Sequence, residues 1–412
     1  MKDHKSCRFC SAPLTHSFCN LGKTPLSNAY LTKEQLDKQE PIFDLHAYVC
    51  DKCLLVQLEE VEKPEAIFSD YAYFSSYSSS WLQHAREYVE MMCSRFQLSS
   101  QHQVIEIASN DGYLLQYFKE HQIPILGIEP ARNVADVAIN KGIPTLVKFF
   151  GTQTAHELAA QNRQADVLLG NNVFAHVPNL NDFVAGFRII LKKEGVITLE
   201  FPHLLQLMQL NQFDTIYHEH FSYFSLYTVE KIFAAHGLAL FDVEELSTHG
   251  GSLRVFVQHA AYKRPINTTR IEALRQKERL AGLHELSTYL NFQRKIDNLR
   301  EEIRAFFFKA QSEGKTIAGY GAPAKGNTLL NFCGIDPSLL TFTVDISPHK
   351  QNRFLPGTHI PIHAPAKIYD TKPDYLFILP WNLEKEIREQ MQGIQEWGGR
   401  FVIPIPHLQL VK

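Results

Sequence analysis

Two cysteine knuckles, Cys7-Arg-Phe-Cys10 and Cys50-Asp-Lys-Cys53, constrain the amino-terminal part of this chain more tightly than any other feature. In each, the spacing lets two thiolates face one ion from a single tight turn. Two such turns complete a tetrahedral four-sulfur zinc site. With four thiolates and no position for water, such a site is structural. The competing use of CxxC is a redox dithiol, a motif that usually stands singly in a βαβ setting. Five of the seven cysteines fall within the first 53 residues, which favours the metal. Cys19 is left over, and His16 and His46 are alternative ligands with poorer spacing. The segment between the knuckles exceeds that of a typical zinc ribbon, which predicts a small elaborated subdomain.

Further along, strands and helices alternate. Gln103-Val-Ile-Glu-Ile-Ala108 predicts a buried strand, Ser109-Asn-Asp-Gly112 a turn, and residues 113–121 a helix. Pro124-Ile-Leu-Gly-Ile-Glu129 predicts a second strand ending in an acid, with a helix near 134–141. Further strands are expected at 165–169, 195–200, 237–243 and 253–258, which implies a largely parallel, doubly wound sheet. Residues 271–312 carry Leu283, Leu286, Leu290, Ile296, Leu299, Ile303 and Phe306-Phe307 at helical spacing, a packing stripe on one or two long helices. From Lys315 a second strand–turn–helix pattern begins, with strands at 316–320, 341–345 and 375–379. With 412 residues, 45% of them apolar, the chain has the material for several cores. The expected fold class is therefore α/β, in four parts: a zinc-binding subdomain (1–66), a Rossmann-like domain (67–262), connecting helices (263–312) and a second Rossmann-like domain (313–412).

A formal net charge of −3 argues against a nucleic-acid partner, which needs a basic surface. No apolar run follows the amino terminus, and none approaches the roughly 20 residues of a membrane span. A soluble, cytoplasmic protein without membrane or nucleic-acid partners is expected, as a monomer or small homo-oligomer.

Glu106-Ile-Ala-Ser-Asn-Asp-Gly112 departs from the GxGxxG dinucleotide fingerprint. It suits an adenosyl ligand without pyrophosphate. The turn approaches the ligand, Glu129 accepts its ribose hydroxyls, and Glu106 and Asp111 face the ammonium end of a methionine-derived sulfonium. The alternative is a loop whose Asn-Asp-Gly only makes a good turn. In Asn171-Asn-Val-Phe-Ala-His176-Val-Pro178 a later strand would deliver His176 to the sheet's carboxyl edge, where open α/β sheets bind ligands. Phe68 to Ser80, rich in tyrosine and serine, reads as a loop over a ligand.

The densest chemistry lies at 216–227, where Tyr217, His218, Glu219, His220, Tyr223 and Tyr227 stand within twelve positions. Histidine is the side chain whose ordinary pKa lies nearest neutrality, and a neighbouring carboxylate orients it as a base. The cluster points to proton removal from a bound molecule; the alternative is a polar turn with packed rings and solvated histidines.

Taken in order, the zinc knuckles, the Tyr-x-Tyr-Phe-Ser-Ser-Tyr-Ser segment, Glu-Ile-Ala-Ser-Asn-Asp-Gly, Asn-Asn-Val-Phe-Ala-His-Val-Pro, Tyr-His-Glu-His-Phe-Ser-Tyr and Gly-Tyr-Gly-Ala-Pro-Ala-Lys-Gly-Asn resemble the S-adenosylmethionine-dependent sugar C-methyltransferases over essentially the whole chain. That resemblance implies a central class I methyltransferase domain and a keto-deoxysugar carried on a nucleotide, of the dTDP type, that is methylated at carbon through an enolate. Carried onto this chain, it implies His220 as general base with Glu219 beside it, and Tyr217, His176 and Tyr71 lining the sugar pocket. His218 stands as the second choice of base. The cofactor would lie on Glu106, Ala108, Asn110, Asp111, Gly112, Glu129, Pro130, Asn171 and Asn172. The substrate would meet Tyr77, Tyr223, Arg254 as anion partner in His249-Gly-Gly-Ser-Leu-Arg254, and Lys325 with Asn327 at its diphosphate. For Lys325 the alternative is an inherited turn that only packs. Asp345 resembles a ribose-binding acid without implying a second cofactor. Two other functions stay open: another methyl acceptor, either an O-methyl substrate or RNA, and a non-catalytic zinc-bearing scaffold.

Overall fold

The computed structural model describes residues 5–62 and 74–412. In the zinc region β1 (His16–Thr24) and β2 (Phe43–Val49) pair antiparallel, and β3 (Val56–Leu58) adds to β2. The two knuckles close in the same way. The Cys7 carbonyl accepts the Ser11 N–H and the Cys50 carbonyl the Leu54 N–H, each at 2.9 Å. Ser11 and Leu54 both take left-handed backbone, φ 61° and 63°. Repeated turn geometry brings the four sulfurs within 4.8 Å of one another.

The central region contributes β4 (Val104–Ile107), β5 (Ile125–Ile128), β6 (Thr145–Leu146), β7 (Ala165–Asn171), β8 (Leu191–Pro202), β9 (Ser222–Tyr223), β10 (Leu238–Leu246) and β11 (Ser252–His259). Seven of these form one sheet in the order β10-β11-β8-β7-β4-β5-β6. From β8 to β6 the strands are parallel, while β11 and β10 return as an antiparallel hairpin at the edge. Alternation along β4 explains the double covering. Ile105 and Ile107 join one apolar cluster with Leu168 and Phe187, and Val104 joins the opposite one with Tyr88 and Phe118. Period-two side chains place successive residues on opposite faces, so both faces need helices. Ser79–Phe96 and Leu115–Glu120 cover one, Thr152–Ala160 and Leu180–Ile190 the other.

β9 departs from the expected partition. It leaves the central sheet and pairs with β3 of the zinc region, Val56 opposite Tyr223.

The expected connecting helices run Thr268–Leu280, Leu286–Leu290 and Phe292–Ser312. The buried stripe Ile296, Leu299, Ile303 and Phe307 of the last helix belongs to one apolar cluster with Phe18 and Leu45 of the zinc region and Ile317 and Phe377 of the last domain. Phe292 stacks on Phe18 at 4.7 Å and 10°. Burying one such ring contributes about 1.5–3 kcal/mol.

The carboxy-terminal sheet holds β12 (Ile317–Tyr320), β13 (Thr343–Val344), β14 (Ile362–His363), β15 (Tyr375–Ile378), β16 (Arg400–Ile403) and β17 (Gln409–Val411), ordered β14-β13-β12-β15-β16-β17. All neighbours are parallel except β17. Its strand order reverses between β12 and β15, and the loops leaving those two strands face the central domain.

Candidate active site

At the carboxyl edge of the central sheet the chain leaves β4 through Ala108 and Asn110, both left-handed at φ 55° and 50°. Ala108 is held there against a steric cost of the kind seen at ligand-facing turns. Gly112 (φ 76°) completes the turn, and a Cβ there would lie 2.3 Å from Ile143. Glu129, just past β5, folds onto the turn. Its Oε2 accepts the Asn110 N–H at 3.0 Å and its Oε1 the Ala131 N–H at 2.8 Å, while Pro130 leads into helix Arg132–Asn140. Burial pushes the Glu129 carboxyl up to about 7. Burial, then the charges of Glu129 and Asp111, push Glu106 well above the carboxylate range. Residues 75–76 lie on this turn: the Ser75 N–H donates to Asn110 Oδ1 at 2.9 Å and the Ser76 hydroxyl to Asp111.

Both oxygens of Glu106 are buried without a hydrogen-bond partner among the described residues, as are Ser109 Oγ, Asp111 Oδ1, both amide atoms of Asn171 and Asn172 Oδ1. Buried polar atoms are normally paired. So many unpartnered polar atoms on one sheet edge, most of them acceptors, fit a ligand carrying positive charge and hydroxyl groups, as S-adenosylmethionine does.

The proton-transfer cluster lies beside this edge. His220 Nδ1 is 2.8 Å from the Thr215 carbonyl, which can only accept, so Nδ1 carries the hydrogen and Nε2 the lone pair. The Tyr217 hydroxyl donates to Nε2 at 2.8 Å. The Phe221 N–H donates to the Ala175 carbonyl at 2.7 Å, which brings His176 alongside, its ring 4.6 Å from His220 and nearly perpendicular at 77°. Burial lowers the His176 pKa to about 4. Burial, then the charge of His176, hold His220 well below the usual imidazole value. Two adjacent, desolvated imidazoles are thus neutral at neutral pH. Glu219 turns away from them. Its Oε1 accepts from Asn28 Nδ2 at 2.6 Å, and burial raises its carboxyl to about 7. His218 faces the zinc region, donating from Nε2 to the Asp44 carbonyl at 3.3 Å with its ring against Phe43. Geometry therefore separates the two histidines that sequence spacing left unranked: His220 meets Tyr217 and His176, and His218 meets β2.

From the carboxy-terminal domain, Lys325 reaches the same region. Its Nζ donates to Asn382 Oδ1 at 2.8 Å and lies 5.0 Å from the Trp381 ring centre. Burial lowers its pKa and Asp214 opposes that, while the lysine charge is among those depressing His220 and His249. His249, left-handed at φ 54°, has Nε2 2.9 Å from Asn172 Nδ2 and its ring against Trp81.

Other expected site residues are placed differently. Arg254, read as an anion partner, is committed to protein carboxylates: its guanidinium donates to Glu200 at 2.8 Å and to Glu244 at 3.3 Å and covers the Tyr88 ring. With both charges compensated inside the fold, it offers no open cation. Asn327 donates to the Ser27 carbonyl at 2.6 Å and ties the zinc region to helix Ala324–Cys333. Asp345 is occupied similarly, accepting the Ala322 and Ser347 N–H groups. Tyr223 is buried on β9, its ring 6.3 Å from His220. Tyr77 is exposed beside Phe74 and His349. Tyr71 and the first part of the tyrosine-serine segment lie outside the described residues. Asn28, Asp214 and Trp381, whose contacts cross domains, and His249, which meets Asn172 and Trp81 within the central domain, were not singled out as site residues by the sequence, although His249 preceding two glycines was a local cue.

In the zinc region Cys7, Cys10, Cys50 and Cys53 converge, and Cys19 is buried elsewhere, in the apolar cluster with Phe18. His46 is hydrogen-bonded to Ser17 and Tyr48. Four sulfurs at this spacing fit a tetrahedral zinc ion.

Three family models match the chain: a zinc binding domain over residues 7–68, a methyltransferase domain over 81–243, and a C-methyltransferase C-terminal domain over 247–406. The C-methyltransferase NovU of Streptomyces niveus is 36% identical over 405 residues, covering 98% of this chain and 96% of that protein. Among solved structures, PH0226 of Pyrococcus horikoshii OT3 is 13% identical with a TM-score of 0.38, covering 48% of this chain and 99% of that one. Magnesium protoporphyrin IX methyltransferase (ChlM) of Synechocystis PCC 6803, with bound SAM, is 12% identical with a TM-score of 0.33, covering 43% and 78%. These two likenesses are too distant to carry an argument about the reaction. The cofactors are S-adenosylmethionine and a zinc ion held by the four cysteines.

Proposed function

We propose that this chain, which belongs to the C-methyltransferase family that its sequence resembles, removes a proton beside the ketone of a nucleotide-linked keto-deoxysugar and methylates the resulting carbanion. The observation that carries this reading is the His220 ring. Its hydrogen is tied to a carbonyl at Nδ1, and its lone pair at Nε2 meets a phenol beside the cofactor edge.

A C–H bond next to a ketone is weakly acidic, and the base must be neutral to accept its proton. Burial keeps His220 so. The substrate ketone draws the Tyr217 O–H off Nε2 and onto its own oxygen, which leaves the Nε2 lone pair open. As the C–H bond breaks, the proton moves to His220 Nε2 and the electron pair passes to the enolate, whose oxygen the Tyr217 O–H stabilises. Such preorganised donors stabilise charge where it develops. His176, held neutral, adds no competing positive charge when His220 becomes cationic. S-adenosylmethionine, when bound, supplies the methyl group that the enolate carbon takes. Glu106, Asp111 and Glu129 would hold that cofactor by its positive charge and hydroxyls. Lys325, its ammonium resting on Asn382 and Trp381, would take the diphosphate of the sugar nucleotide.

The test is incubation of the purified protein with S-adenosylmethionine and a panel of nucleotide-linked keto-deoxysugars in heavy water, read by mass. The expected result is a gain of one methyl group that is lost in His220→Asn. Deuterium uptake without methylation would refute the methyl-transfer half of the reading. Neither change, in protein shown by calorimetry to bind S-adenosylmethionine, would refute the substrate class.

A further inference from the structure

We infer that Trp381 and Asp214 are positioning residues for the base, so that the carboxy-terminal domain sets the geometry of proton removal as well as gripping the substrate. This inference rests on the reading of His220 as the base. The carbonyl that fixes the His220 ring belongs to Thr215, in the short helical turn Phe213–Thr215. That turn is held from three sides. From the loop after β15, the Trp381 indole N–H donates to Asp214 Oδ2 at 2.7 Å. From helix Ala324–Cys333, the Thr328 hydroxyl donates to the Ile216 carbonyl at 3.3 Å. From the loop before β11, the Gly250 carbonyl accepts from Gln212 Nε2 at 2.7 Å.

The fit at Trp381 leaves no slack, since a Cβ on Gly250 would lie 2.5 Å from its ring. Asp214 is fully buried, and among the described residues its Oδ1 has no hydrogen-bond partner. Burial raises its pKa to about 6 against the charge of Lys325 and the indole hydrogen bond. A buried carboxyl costs desolvation, and its partners here are the indole N–H that fixes the turn and the Lys325 charge. Asp214 is adjacent to Thr215, so displacement of the indole shifts the peptide that aims the imidazole. Lys325, the proposed diphosphate contact, lies against the same Trp381 ring. Substrate grip and base alignment therefore share one side chain.

The test uses the full-length, zinc-loaded protein and a keto-deoxysugar nucleotide in heavy water without S-adenosylmethionine, so that exchange at the carbon beside the ketone reports proton removal alone. Trp381→Phe keeps an aromatic side chain of smaller size and removes the N–H donor; Asp214→Asn keeps an acceptor without the charge. The expected outcome for Trp381→Phe is a fall of roughly tenfold or more in the maximal exchange rate, larger than the accompanying rise in KM. Asp214→Asn should retain more exchange than Trp381→Phe, because its amide oxygen can still accept the indole hydrogen. A packing role alone would lower the unfolding temperature and leave the exchange rate of folded protein unchanged. Wild-type exchange in a folded Trp381→Phe, with His220→Asn inactive, would overturn the positioning role and leave the base assignment standing. Wild-type exchange in His220→Asn would overturn both.

Discussion

Glu129 shows how one burial decision becomes a binding property. Its carboxyl sits under two backbone N–H groups, yet burial lifts its pKa to about 7, so near pH 6 it carries a proton in the free protein. The sign for stability follows: an acid with a raised folded pKa favours folding below about pH 4.5, and that contribution is lost as pH rises through about 7. A ligand whose hydroxyls donate to the carboxylate reverses the preference, because hydrogen bonds to the charged form lower a carboxyl's pKa. Binding of S-adenosylmethionine near pH 6 is therefore expected to release protons, with affinity rising up to about pH 7 and levelling above it. Calorimetry in buffers of different ionisation enthalpy measures the release directly. Glu129→Gln should diminish it and weaken binding about tenfold, roughly 1.4 kcal/mol. Release unchanged in the variant would remove Glu129 from the cofactor site. Lys325→Met is the matching test for the anion end. Nucleoside diphosphate should bind at least roughly tenfold more weakly, with less sensitivity to salt, because the lost interaction is between charges. An unchanged dissociation constant would assign Lys325 to packing.

At the scale of elements, local signals were legible and long-range pairings were not. The knuckles, a turn at 109–112 and the acid after β5 were readable because the chemistry lies within a few residues, whereas the left-handed backbone at Ala108 was not, since that residue read as strand. β9 was not: only two residues long, it owes its existence to β3, more than 160 positions earlier in the chain. The pairing of Arg254 was hidden for the same reason, since its carboxylate partners Glu200 and Glu244 lie on neighbouring strands and are silent in spacing. The β3–β9 pairing gives the zinc site a bearing on catalysis. Leu58 donates its N–H to the Phe221 carbonyl at 3.0 Å, one residue past His220. A structural zinc site contributes its binding energy to folding. Strong chelation, or Cys50→Ser, should therefore abolish the order of β3 and with it the placement of His220. The expected result is stoichiometric zinc release, measured with a colorimetric chelator, in step with loss of substrate deuterium exchange. Exchange that survives complete zinc loss would show the zinc region to be an independent appendage.

Across the whole molecule, the apolar clusters do not follow the linear partition. One face of the central sheet shares its cluster with Cys7, Cys50, Cys53 and Leu55 of the zinc region, while the zinc sheet, the helix Phe292–Ser312 and the carboxy-terminal sheet share another that also takes in Leu204, Phe213 and Ile216. Polar ties repeat the pattern. Asn28 holds Glu219, the Tyr30 hydroxyl donates to the Ala322 carbonyl, and Asn327 holds Ser27, so residues 27–30 thread between the base-bearing turn and the last domain. A chain ending near residue 312 would uncover the stripe Ile296, Ile303 and Phe307 along with apolar side chains of the zinc sheet. At about 1.5–3 kcal/mol for each large side chain, exposing four or five approaches the roughly 5–15 kcal/mol that stabilises a typical domain. Such a truncation is expected to lose the unfolding transition of the zinc region together with that of the last domain, and to bind a hydrophobic dye. The central sheet loses the zinc-region residues from one face but keeps the cluster of Tyr88, Val104 and Phe118 on the other, and should keep its cofactor edge. Differential scanning calorimetry with zinc analysis separates the cases. A truncated chain that holds one zinc per molecule and melts in a sharp transition would mean that the zinc region folds on its own. The shared core would then be an interface between finished domains, and the alignment of His220 by Trp381 would depend on docking alone.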